Sequence, residues 1–275
     1  MTDLEKKFRV LQETVAGYGR VLVAFSGGVD SSFVLRVAHD ILGINAVALT
    51  VCSPTVPEED REAAVRLAQS LGVDHIMVEA DELEIPQYAS NPVNRCYFCK
   101  SHLFEVCKAE AQRRGIRVIA DGANQDDLGD YRPGLQAAAE SGVRHPLIEA
   151  QLGKREVREL SRRLGLPTWD KPSSPCLSSR FPYGTPITHE GLRRVAEAER
   201  VLHGLGFTEC RVRFHDRVAR VEVPTEEIVR LVQPEVRSVV VARLKELGFT
   251  YVTVDLLGFR SGSLNEELKH LGKGS

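Results

Sequence analysis

Seven consecutive residues, Ser26-Gly27-Gly28-Val29-Asp30-Ser31-Ser32, combine two glycines, three hydroxyls and one carboxylate directly after an apolar run. Adjacent glycines let a backbone turn tightly and approach an anion without Cβ interference, and a helix starting just after them aims unbonded N–H groups at that anion. Ser26, Ser31 and Ser32 add hydroxyl donors. A carboxylate beside phosphate needs a cation or an anchoring hydrogen bond, so Asp30 reads as the organiser of a Mg2+ ion or of the loop itself. An N-capped helix after a glycine turn is the plain alternative. No G-x-x-x-x-G-K-[ST] pattern occurs, which disfavours γ-phosphate transfer of the P-loop kind.

The cysteines are the second set of reactive candidates. Cys176 sits in a stretch with prolines at 167, 172, 175, 182 and 186, and Lys171 and Arg180 are near it in sequence. Positive charge favours thiolate over thiol, which suits Cys176 to act as a sulfur nucleophile, against the alternative of a small buried apolar residue. Cys96 and Cys99 form a C-x-x-C pair, two ligands being too few for a structural zinc site without help. Cys52, Cys107 and Cys210 have no matching partners and read as structural.

These residues need elements to hold them. Thr2 and Glu5 fit a capping box that opens a helix to about Gly17, followed by a buried strand over residues 20–25 that runs straight into the glycine loop. The pattern then predicts helix over 31–42, strand over 46–51, helix over 57–71, strand over 75–78, helix over 95–114 and strand over 117–121. Strands alternating with helices imply a parallel sheet, since each parallel return needs a crossover. Thr50, Val51 and Ser53 then fall at the C-terminal end of a strand, where an open α/β sheet builds its ligand crevice. The run Asp121 to Asp127 follows another strand and brings carboxylates and an amide to the same edge, with Gly122, Asn124 and Asp126 as nucleotide-site candidates. Helix is expected over 154–164, then the proline-rich stretch, then helix over 190–202, a hairpin of 211–214 with 219–223, helix over 235–247 and strand over 251–256. Arg211 and Arg213 alternate on one strand face, so their guanidinium groups point the same way and suit phosphate or carboxylate. The fold class is α/β, a parallel sheet with helices on both faces over residues 1–170, then an active-site loop or linker over 171–187 and a smaller α+β domain over 188–275.

Composition bounds the function. Lys and Arg total 36 against 38 Asp and Glu, a formal charge of −2, so no global basic field draws the chain to nucleic acid. The N-terminal residues lack an apolar signal core and no apolar run approaches the roughly 20 residues of a membrane span, so a cytoplasmic protein with no membrane partner is expected.

Ser26 to Ser32 resemble the PP-loop signature of GMP synthetase, NAD synthetase, asparagine synthetase and tRNA-thiolating enzymes, which release pyrophosphate and adenylate an oxygen. Three further stretches narrow the likeness: residues 91–100 around Cys96 and Cys99, the Asp121-Gly122-Ala123-Asn124 run, and residues 169–180 around Cys176. Together they resemble the LarE family over nearly the whole chain. That resemblance implies an ATP-dependent sulfur transferase acting on the carboxylates of pyridinium-3,5-biscarboxylic acid mononucleotide, in synthesis of the nickel-pincer nucleotide cofactor of lactate racemase. It also implies ATP and Mg2+ at the loop, catalytic roles for Cys176, Asp30 and Arg180, and substrate contacts from Ser179, Arg180, Glu199, Arg211, Arg213 and Glu222. In members with one active-site cysteine the side chain is sacrificed to dehydroalanine. With Cys96, Cys99 and Cys176, the resemblance to three-cysteine members implies instead a [4Fe-4S] cluster with three thiolate ligands and an open iron for a sulfide. A Cys96–Cys99 disulfide or persulfide relay is the rival, and two cysteines packed in a core the plain alternative. The family further implies a hexamer, with cofactor-biosynthesis proteins as possible partners. A PP-loop tRNA thiolase and a non-catalytic nucleotide-binding regulator are the competing functions. The near-neutral charge counts against the first, and the unused Cys176, Arg180 and C-x-x-C count against the second.

Overall fold

The computed structural model describes residues 1–129, 133–172, 174–260 and 263–265. The chain divides into two compact units, Met1–Tyr88 with Val93–Ser174, and Ala89–Pro92 with Pro175–Ser275.

The first unit is built on four parallel strands, β1 (Val21–Ala24), β2 (Ala46–Cys52), β3 (Asp74–Glu79) and β4 (Val118–Ala120), in the order β3-β2-β1-β4. Helix α1 (Asp3–Ala16) opens on the capping box, Glu5 N–H donating to Thr2 Oγ1 and Thr2 N–H to Glu5 Oε2. Helices α2 (Val29–Leu42) and α3 (Glu58–Leu71) supply the first two crossovers. Alternation along β1 sends Val21 and Val23 into a core shared with Leu11, Phe33 and Leu67, and Leu22 and Ala24 into a second core with Phe104, Cys107 and Ala111 of the helix Arg95–Arg113. A sheet covered on both faces explains why its strands read as apolar runs rather than as alternating ones. Burial pushes the Cys107 thiol up to about 12, as expected of a small core hydrophobe.

In the second unit β5 (Arg211–His215) pairs antiparallel with β6 (Val218–Glu222), and β6 pairs parallel with β7 (Tyr251–Val254). The helix His189–Gly204 is capped by Thr188, whose Oγ1 accepts from Gly191 N–H at 3.1 Å, and it packs on β5. Phe181 stacks on Phe214 at 4.7 Å, and Phe214 meets Phe249 edge-on at 6.1 Å. Segment Ala89–Pro92 belongs here by its bonds. Fully buried Asn91, at φ 57°, donates through Nδ2 to the Pro182 and Thr185 carbonyls at 2.7 and 3.0 Å, and Ile187 N–H reaches Ala89 O at 2.8 Å. No helix among the described residues is long and apolar enough to cross a membrane.

Candidate functional site

The glycine loop joins β1 to α2 at the C-terminal edge of the parallel sheet. Gly27 is left-handed at φ 68°, and a Cβ there would lie 2.9 Å from the Ala64 Cβ of α3, so only glycine fits both the turn and the space. Gly28 caps α2 without any side-chain cap, which leaves first-turn N–H groups of α2 directed out of the loop. Ser31 shapes the loop from within. Its Oγ accepts from Ser26 N–H at 3.2 Å and lies 3.0 Å from Ser26 Oγ, while Gly28 N–H donates to Ser26 Oγ at 3.3 Å. Ser32 is fully buried and its hydroxyl has no hydrogen-bond partner among the described residues.

Asp30 is held by two residues far along the chain. Lys154 Nζ pairs with Asp30 Oδ2, and Asn124 Nδ2 donates to Asp30 Oδ1 at 3.4 Å. The loop after β4 is therefore part of this site. Asp126 Oδ2 accepts from Lys154 N–H at 2.8 Å, Asp127 Oδ2 from Asn124 N–H at 2.9 Å, and Asp121 Oδ1 from Ala123 N–H at 3.0 Å. Asp121 also meets His145 Nδ1 at 2.7 Å, a hydrogen bond that raises the His145 pKa. Gly122 lies against the start of α2: a Cβ on it would fall 2.6 Å from Ser31 N and 3.0 Å from the Asp30 carbonyl carbon. Since both obstacles are backbone, Gly122→Ala is expected to displace the loop or the helix start. It should weaken nucleotide binding and cost about 1–3 kcal/mol of stability, measured by ATP titration and by the denaturant midpoint.

The strand-end candidates divide. Thr50 is buried, its Oγ1 donating to Phe25 O at 2.7 Å and lying 2.8 Å from His75 Nε2, so the hydroxyl ties β2 to its neighbours. Ser53, also buried, meets Thr55 Oγ1 at 2.9 Å and donates to Glu82 Oε2. Val51 is half-buried between them. Glu82 is a buried carboxylate that the sequence did not single out, and Cys99 Sγ lies 4.0 Å from its Oε1.

In the second unit, half-buried Cys176 precedes a single turn of 3-10 helix, Leu177–Arg180. Arg180 Nη1 donates to the carbonyls of Pro175 and Cys176 at 2.9 and 3.3 Å and to Ser179 Oγ at 2.9 Å. Its Nε and Nη2 grip Glu199 bidentately, both at 2.9 Å. Burial alone would lower the Arg180 pKa, but Glu199 outweighs it and the net shift is upward. Arg213 and Glu222 form a second such pair at 2.9 and 3.1 Å, and Arg213 Nη1 reaches Ser179 O at 2.7 Å. Glu199 and Glu222 thus neutralise buried guanidinium groups within the protein. Arg211 differs: its recorded partners are the Arg260 carbonyl at 3.4 Å and the Phe259 ring at 4.5 Å, with no carboxylate in ion-pair range among the described residues. Burial, with Arg180 and Arg213 nearby, lowers its pKa to about 10. Burial of a cation without a carboxylate in ion-pair range is costly, which sets Arg211 apart from Arg180 and Arg213.

The cysteines are divided between the units. Cys96 and Cys99 stand one turn apart at the start of the helix Arg95–Arg113 in the first unit, Cys176 belongs to the second, and no disulfide links any pair. Among the described residues no group of three or more His, Cys, Asp or Glu is placed to hold a metal ion. The thiols expected to ligate a [4Fe-4S] cluster thus belong to both units, and the carboxylates around Asp30 form no three-ligand Mg2+ cage among the described residues. Lys171, near Cys176 in sequence, pairs with Asp60 at 2.9 Å and donates to Gly27 O at 3.3 Å in the first unit.

A strand, an uncapped glycine loop and a helix at the C-terminal edge of a parallel sheet define a nucleotide-binding α/β domain of the PP-loop type. A profile of the NAD synthase family matches residues 4–100. GMP synthase of Aeropyrum pernix is 28% identical over 204 residues, 68% of this chain and 40% of that one. An uncharacterized protein of Synechocystis is 49% identical over 265 residues, 96% of this chain and 99% of that one. Pyridinium-3,5-bisthiocarboxylic acid mononucleotide synthase of Lactiplantibacillus plantarum is 40% identical over 269 residues, 98% of this chain and 97% of that one. The chain belongs to the LarE family of PP-loop enzymes.

Proposed function

We propose that this chain is an ATP-dependent, AMP- and pyrophosphate-forming sulfur transferase that converts the carboxylates of pyridinium-3,5-biscarboxylic acid mononucleotide into thiocarboxylates. The observation that carries this reading is the 40% identity to the Lactiplantibacillus plantarum synthase, which extends over 98% of the chain and so over both units.

The residues supply a coherent chemistry. The glycine loop and first turn of α2 receive the pyrophosphate portion of ATP, so that a substrate carboxylate oxygen attacks the α-phosphorus and pyrophosphate leaves. Buried Arg211 receives the phosphate or a carboxylate of the substrate, while Arg180 and Arg213, held by Glu199 and Glu222, fix the turn that carries Cys176 and Ser179. The Cys176 thiolate then attacks the carbonyl carbon of the acyl-adenylate, AMP leaves, and a thioester forms. Removal of the Cys176 Cα proton and cleavage of its Cβ–Sγ bond release the thiocarboxylate and leave dehydroalanine. A [4Fe-4S] cluster on Cys96, Cys99 and Cys176 is the second reading, favoured by two thiols on one face at a helix N-terminus. A Mg2+ ion carried in with ATP needs only one or two protein carboxylates, for which Asp30 is the candidate. Cytoplasmic location and assembly into a hexamer belong to the same proposal.

The test is pyrophosphate release in the presence of ATP and the pyridinium dicarboxylate, with the product's gain of sulfur followed by mass spectrometry. Asp30→Ala and Ser31→Ala should each lower pyrophosphate release by about 100-fold or more while the fold survives. Release at the wild-type rate in both variants, or no dicarboxylate-dependent ATP cleavage in the wild-type chain, rejects the reading.

A further inference from the structure

The loop that receives a polyanion carries the wrong charge of its own. From Phe25 to Ser32 the one ionised residue is Asp30, and it is negative. The cations come from elsewhere in the first unit, and they bracket the loop. Lys154 Nζ rests on Asp30 at the α2 end, while Lys171 Nζ donates to the Gly27 carbonyl at the β1 end and pairs with Asp60 of α3.

One helix positions both. Lys154 is the first residue of the helix Lys154–Arg163, its backbone N–H anchored on Asp126. Gly153 fits beneath it because a Cβ there would fall 3.0 Å from Asp126 Oδ1. One turn on, Arg158 donates through Nη1 and Nη2 to the carbonyls of Trp169 and Lys171, each at 2.8 Å, which fixes the backbone that presents Lys171. A purely structural pair of lysines would not need the same helix to aim both ammonium groups at the two ends of one loop. Both ammonium groups remain reachable from solvent, the side chains of Lys154 and Asp30 being 37% and 20% exposed and those of Lys171 and Asp60 24% and 20%, so each can exchange its carboxylate for an incoming polyanion. A lysine suits that exchange, being a point charge on a flexible stem with three rotatable donors.

We infer that Lys154 and Lys171 are the two protein cations that contact the β- and γ-phosphates of ATP at this loop, leaving Asp30 and Asp60 to do so. The inference rests on the proposed function and names the residues that neutralise its nucleotide. It places the charge on the departing pyrophosphate, so the contacts belong to ATP and not to AMP.

Equilibrium binding of ATP and of AMP to the full-length chain tests this. Lys154→Gln and Lys171→Gln should each weaken ATP by about tenfold or more and leave AMP within about twofold, while Lys154→Arg and Lys171→Arg restore ATP to within about threefold. On the unaltered chain, ATP but not AMP should protect both lysines from an amine-acetylating reagent, read residue by residue in the mass spectrum. That measurement stands even where a glutamine variant does not fold. Wild-type ATP affinity in either glutamine variant, a parallel loss of ATP and AMP, or acetylation indifferent to ATP overturns the inference. A wild-type chain that binds no ATP rejects the proposed function itself.

Discussion

Glu222→Gln is expected to destabilise the second unit by about 3–5 kcal/mol, because it leaves a buried guanidinium without its counterion. Glu222 is 0% exposed and Arg213 2% exposed. The carboxylate accepts from Arg213 Nε and Nη2 and from Arg220 Nη2 at 3.2 Å, so three charge-assisted bonds converge on it. Glutamine keeps the shape and one acceptor oxygen but removes the charge that offsets the desolvation of Arg213. The reverse experiment separates charge from packing. The double variant Arg213→Met with Glu222→Leu removes both charges and should recover most of the loss, since replacing a whole buried pair by apolar groups is often close to neutral. Denaturant midpoints of the three proteins decide the matter: a loss under about 1 kcal/mol in the single variant means that the Glu222 charge does not offset the burial of Arg213.

Cys176→Ala should lower thiocarboxylate formation by about 10³-fold or more while pyrophosphate release persists, because adenylation needs the loop but not the thiol. The other two cysteines tell the two sulfur sources apart. If the Cys176 sulfur is itself transferred, Cys96→Ala and Cys99→Ala retain one turnover, and the spent protein is lighter by the mass of hydrogen sulfide at residue 176. If the three thiols hold a cluster, each single variant loses most of its iron and transfers no sulfur. Anaerobically reconstituted protein that contains no iron, completes one transfer and carries dehydroalanine at 176 establishes the first. Protein with about four irons that transfers sulfur repeatedly with an intact Cys176 overturns it.

What could be read in advance was local. The capping box of Thr2 and Glu5, the glycine loop and the apolar runs of β1 and β2 each write their pattern within a few residues, and the elements form within one or two positions of where the pattern puts them. The helix Pro133–Glu140 had no such pattern to announce it, with alanines at 137 to 139 in place of a bulky apolar stripe. The site was legible where one segment supplies it and not where distant segments meet. Asp30 read as the organiser of a metal or of the loop, and Lys154, 124 residues later, cannot be seen from it. Lys171 is near Cys176 in sequence, and nothing in that neighbourhood announces that its ammonium bonds the glycine loop 144 residues back. The family resemblance implies substrate contacts for Glu199 and Glu222, and only the packed unit shows them paired with Arg180 and Arg213. Arg211, with no carboxylate in ion-pair range among the described residues, is the remainder of that pairing, a subtraction that strand alternation alone could not perform.

Segment Ala89–Pro92 makes the chain pass between its two units three times, after Tyr88, after Pro92 and after Ser174. The second unit is consequently not a contiguous stretch that can be cut out with one pair of ends. A fragment beginning at Pro175 would strip the Asn91 amide from the Pro182 and Thr185 carbonyls, take the Asn91 carbonyl from Gly184 N–H and open the Ile187 N–H to solvent. Those groups border the turn that carries Cys176 and Arg180. A protease nick at any single crossing would leave the halves tethered by the other two, so cleavage there separates no pieces until at least three bonds are broken. On the ribosome, the four residues Ala89–Pro92 emerge well before Pro175, so they must wait for residues 182–187 before the bonds that seat them can form.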